Sequence, residues 1–174
     1  MVAIALLIAV ATLVVAAALM AVFSAAEASV RLLSRSRTRR LLEAEVRGAH
    51  ALDHLAERPS RLAAAAALLR ALAYTLTAGV FGWAALIVLE SEARLWASLA
   101  AGAIGLIVLF ALGEALPRTL AVQNPERVGL ASASLASRIT SVLAPVARFF
   151  AAGWVGLTSL VAHEPVTDAW LTGD

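Results

Sequence analysis

Apolar residues fall into three long runs along this chain, and polar residues are gathered between them. Residues 2–26 carry no charge before Glu27. At about 1.5 Å per residue this run outreaches a hydrocarbon core of about 30 Å, so it predicts a membrane-spanning helix. Only Met1 precedes it, with none of the basic residues that open a signal peptide. A second run, residues 62–89, is interrupted once, by Arg70. After the link "ESEAR" a third span is predicted over 95–116, ending at Gly113-Glu114 and broken by Pro117.

Between the first two runs the pattern changes to "RLLSRSRTRRLLEAEVRGAHALDHLAERPSR", residues 31–61. Leu32, Leu33, Leu41, Leu42, Val46, Leu52 and Leu55 recur at helical spacing. Two short helices are predicted, separated by Gly48. Pro59 is expected to end the second, and Ser60 to cap the helix that follows. After the third span, "QNPER" reads as a helix start: Asn124 as cap, Pro125 in the first turn, Glu126 at the positive end of the dipole. Arg127, Ser134, Arg138, Ser141 and Arg148 then share one stripe, which predicts an interfacial helix over about 125–162. Residues 142–162 are nearly long enough for a fourth span, against which Pro145 and Arg148 count.

Arginine placement sets the expected orientation. All basic residues are arginines, and eight lie in the first link while the second carries Arg94 alone. The positive-inside rule puts the first link in the cytoplasm, the N-terminus outside and the C-terminus inside. The fold class is an all-α membrane protein. Its parts are three transmembrane helices, a cytosolic helical hairpin and an amphipathic juxtamembrane helix.

Composition narrows the function. The 174 residues are 61% hydrophobic with 6% aromatic, no cysteine and a net charge of +2. Thiol chemistry and disulfides are excluded. With no basic, aromatic-studded domain, nucleic acid is not an expected partner. The arginines between membrane runs suit anionic lipid head groups instead. His50, His54 and His163 lie in or beside the soluble segments, and no hydrolase or phosphate-loop motif is present, so no enzyme is expected.

What remains is polar chemistry at membrane depth: Ser24 with Glu27, Arg70, Tyr74 with Thr75 and Thr77, and Gly113-Glu114. Intramembrane ionisable groups face a protein interior and pair. The first and third spans run the same way, so Glu27 and Glu114 reach similar depth, with Arg70 about two turns in from the same side. Either these are interfacial ends with a snorkelling arginine, or carboxylates and hydroxyls form a site for a hard cation such as Mg2+.

"FSAAEASVRLLSRSRTRRL" and "GEALPRTLAVQNPERV" together resemble the CNNM/CorC magnesium-transporter family, in the right order and at the right separation. The resemblance covers nearly the whole chain, as a transmembrane domain. It implies a plasma-membrane homodimer exporting Mg2+ on Na+ entry. It also implies a cytosolic regulatory pair beyond a linker that "VTDAWLTGD" would begin. Carried over, the ion ligands are Ser24, Glu27, Gly113 through its carbonyl, Glu114, and Thr75. The second helix departs from the family's "GNxxxN": Arg70 stands at the glycine, Ala71 at the first asparagine and Thr75 at the second. The rival expectation is a non-transporting scaffold or regulator in which Arg70 replaces the ion. When no ion is bound, Arg70 is predicted to pair with Glu27 or Glu114, either as a gate that an incoming cation displaces or as a permanent substitute for the ion.

Overall fold

The computed structural model describes residues 1–89 and 94–161, with side chains through Val146 except Ala144. Residues 90–93, the side chain of Arg148 and the linker-like tail lie outside the described residues. No strand occurs among those described, and three helices are long and apolar enough to cross a membrane. This is an all-α membrane protein.

The first spanning helix, α1, runs Val2–Leu32 and the second, α4, Pro59–Val88. Between them lie α2, Arg35–Glu43, and α3, Ala49–Glu57. The third begins as α5, Arg94–Phe110, passes through a π turn at Ala111–Ala115 and continues as α6, Leu116–Gln123. The last helix, α7, runs Pro125–Val161 with Pro145 inside it.

Three clusters of buried residues fix α1 against α4. Ala5 and Ala9 meet Ala84; Ala16 and Met20 meet Ala73 with Leu109; Phe23 and Ala26 meet Leu62, Ala65 and Ala66. Rising numbers on α1 meet falling numbers on α4, so the two are antiparallel. The contacts are mostly alanine, which lets backbones approach closely where lipid offers no hydrophobic drive to association.

The largest of these clusters also takes in Leu52 and Leu55 of α3 and Ala133 and Ala136 of α7. Gly48 takes φ 92° at the start of α3, a left-handed value that glycine adopts without strain. A Cβ there would stand 2.6 Å from the Leu130 carbonyl oxygen. Arg37 pairs with Glu126, tying α2 to α7. On α7 the predicted stripe is exposed at Arg127, Ser134, Arg138 and Ser141, while Gly129, Ser132, Ala133, Ala136 and Thr140 are buried.

Two local expectations need correction. Pro59 both closes α3, by keeping Arg58 out of the helical region, and opens α4, so that Arg58, not Ser60, stands at the cap. Proline suits the first helical position, where its missing N–H would have had no partner. Nor does Pro117 break the third span, because the helix accommodates it through the π turn. Asn124 does precede α7, and its carbonyl accepts from the Val128 N–H at 3.1 Å.

Candidate functional site

Every polar position in a mainly alanine and leucine bundle needs a local reason, and the clearest is the π turn. The Leu116 N–H bonds to the Ala111 carbonyl, five residues back. Pro117 has no N–H to offer the carbonyl four residues back, that of Gly113. Such π turns often mark functional positions. Gly113 is buried against α1: a Cβ there would stand 2.9 Å from Met20 Cβ and 3.5 Å from the Ala17 backbone. Glycine therefore lets the turn press on α1 and sets Glu114 beside α4.

Glu114 and Glu27 meet around Arg70. One Arg70 Nη donates to Glu27 Oε2, and Arg70 Nε lies 3.6 Å from Glu114 Oε1. The other Glu27 oxygen accepts from Arg31 at 2.6 Å. Glu114 Oε1 lies 3.0 Å from Arg118 Nη2, and its Oε2 accepts from the Tyr74 hydroxyl at 3.0 Å. All four carboxylate oxygens thus face a cation or a hydroxyl. Two carboxylates against three guanidiniums leave one net positive charge. The side chains of Glu27 and Glu114 are only 8% and 12% exposed, so unpaired carboxylates here would be costly.

Among the residues expected at the site, Glu27, Gly113 and Glu114 come together, and Arg70 joins them as an ion pair. Ser24 is wholly buried one turn before Glu27, and its hydroxyl has no hydrogen-bond partner among the described residues. Thr75 stands apart: it is exposed and its hydroxyl donates to the Ala71 carbonyl of its own helix. Tyr74 occupies the place Thr75 was expected to fill. The sequence held the signal. Glu27 and Arg31, Arg70 and Tyr74, Glu114 and Arg118 are three pairs at spacing four, one per span, and spacing four places side chains on one helix face. Among the described residues no three His, Cys, Asp or Glu side chains form a metal-binding group.

Three spans packed around a buried cluster of ion pairs define a multi-pass membrane domain with a polar centre. Residues 9–167 match the model of the cyclin M transmembrane N-terminal domain, CNNM. The chain belongs to that family, whose membrane domains are associated with divalent-cation transport rather than enzymatic chemistry. A search of curated proteins found no match.

Proposed function

We propose that this chain is the membrane domain of a Mg2+ transporter, working as a homodimer in the plasma membrane and exporting Mg2+ on Na+ entry. The observation that carries this reading is the meeting of Glu27 and Glu114, two carboxylates from different spans, in one buried cluster. Hard cations take oxygen ligands. Glu27, Glu114, the Gly113 carbonyl and the Ser24 hydroxyl supply them, and Tyr74 adds a phenol oxygen near Glu114. The unpartnered Ser24 hydroxyl supports a polar guest, since buried hydroxyls ordinarily have partners.

The arginine excess over residues 31–61 supports a cytoplasmic hairpin touching anionic lipid, with the N-terminus outside. The exposed arginines of α7 suit the cytoplasmic interface, and a cytosolic regulatory domain fits beyond it.

A second reading is a non-transporting scaffold or regulator, and the position of Arg70 favours it. A guanidinium about 4 Å from an incoming ion opposes it by about 4 kcal/mol per ion charge at an effective dielectric of about 20. The readings separate in proteoliposomes carrying a Mg2+-sensitive dye. Transport requires Mg2+ flux that responds to a Na+ gradient and falls at least about tenfold in Glu114→Gln. Wild-type flux no greater than that of empty vesicles, with or without Na+, selects the scaffold.

A further inference from the structure

The cluster holds three arginines, and their attachments are unequal. Arg70 lies between two spans and its side chain is 20% exposed. It is hydrogen-bonded to Glu27, while its Nε stands 3.6 Å from Glu114 with no hydrogen-bond partner among the described residues. Arg31 holds the other oxygen of Glu27. Glu27 therefore engages both of its oxygens with guanidiniums and is the more enclosed of the two carboxylates. Glu114 is bound differently. Its close cation is Arg118, which sits one turn away on the same span and is 49% exposed.

We propose, on the transport reading above, that Arg70 is a fixed strut and Arg118 is the gate. Arg70 stays on Glu27 whether or not a cation is present and joins α1 to α4. Arg118 covers Glu114 Oε1 when no cation is bound, and it swings into water as the cation arrives. The reason is the cost of leaving. Withdrawing Arg70 leaves one oxygen of the buried Glu27 carboxylate unpaired, with only the exposed Arg31 on the other, and disrupts a contact between spans. Withdrawing Arg118 returns a half-exposed guanidinium to solvent, where pairs of this kind are worth little. The neighbouring groups agree with this division. Arg31 cannot open the site, because Glu27 still carries Arg70 after Arg31 departs. Tyr74 remains beside Glu114 Oε2 as a neutral oxygen. Arg70 is thus a positioning residue that holds the ligand Glu27 in place, and Arg118 sets the affinity of the site.

The experiment uses the full chain purified in detergent and reads two quantities: thermal midpoint without divalent ions, and Mg2+ affinity by calorimetry. Arg118→Gln is expected to keep the midpoint within about 2 °C and to tighten Mg2+ binding roughly three- to tenfold, the scale of one partly exposed ion pair. Arg118→Lys, which keeps the charge, should return affinity toward wild type. Glu27→Gln and Arg70→Gln should each lower the midpoint by on the order of 5 °C or more. Arg70→Lys keeps a cation in place should Arg70→Gln fail to fold. The proposal is overturned if Arg70→Gln or Arg70→Lys tightens Mg2+ binding while Arg118→Gln does not. A transport failure looks different: no variant binds Mg2+ at all, and the gate then falls with that reading even if the midpoints keep the expected order.

Discussion

Two regions of this molecule hold arginines facing carboxylates, and they handle the charges in opposite ways. In the cluster between the spans, each carboxylate has at least two partners. In the 380 Å3 cleft between α2 and α3, Arg35 and Arg39 line one wall and Asp53 and Glu57 the other. No ion pair within 4.0 Å joins these four among the described residues. Their chemistry is alike, and the environment differs. Dissolved salt screens exposed charges over roughly 10 Å at about 0.1 M, and holding two long side chains together costs entropy. Between spans there is little water to screen anything, so an unpaired charge is penalised heavily. Between the spans burial enforces pairing, whereas at the surface a pair forms only where geometry brings two side chains together, as with the exposed Arg37 and Glu126.

The strongest way to break that contrast is a double-mutant cycle on Glu27 and Arg70. Glu27→Gln or Arg70→Gln alone should cost about 3 kcal/mol, because each leaves a buried charge without its partner on the other span. The double variant should cost clearly less than the sum, since no stranded charge remains. Unfolding by denaturant in mixed micelles reads all four corners. Additive costs would mean that the two side chains act independently and that the pair is incidental.

That pairing was legible in the sequence because it depends on depth alone. A single arginine in an apolar run and two carboxylates at matching ends of parallel spans have few places to go. The three spans and the Gly48 boundary were legible for similar reasons: run length and a backbone that wants left-handed φ are local properties. Two features were not read. Thr75 was expected at the site from the family's asparagine position, but helical register turns Tyr74 toward Glu114, four residues from Arg70. The continuity of the third span through Pro117 was missed because a lone proline argues locally for a break. What carries the helix past it is tertiary: α1 lies against Gly113 and the π turn takes up the strain.

Gly113→Ala sharpens the same point at intermediate cost. The new methyl would stand 2.9 Å from Met20 Cβ, so α1 or the π turn must shift. Overpacking of this kind costs about 1–3 kcal/mol, partly offset by up to about 1 kcal/mol of alanine helix propensity. The site should suffer more than the fold, since Glu114 moves with the turn. Mg2+ affinity should therefore fall in Gly113→Ala. Met20→Ala leaves Met20 Cβ in place, so it should give little relief when added. Full recovery in the double variant would place the strain farther out along the Met20 side chain.

The smallest effect expected lies in the hairpin cleft, and it tests the other half of the contrast. Arg39→Gln and Asp53→Asn each remove a charge that has no ion-pair partner within 4.0 Å among the described residues. Each should change stability by no more than about 0.5 kcal/mol, the range usual for surface substitutions. The two should add, with a coupling below about 0.3 kcal/mol. Raising salt should leave the sum unchanged, because little attraction exists to screen. A coupling above about 1 kcal/mol that fades in salt would show the cleft charges holding each other in solution. Burial would then not be what separates the two regions, and the pairing between the spans would need another cause.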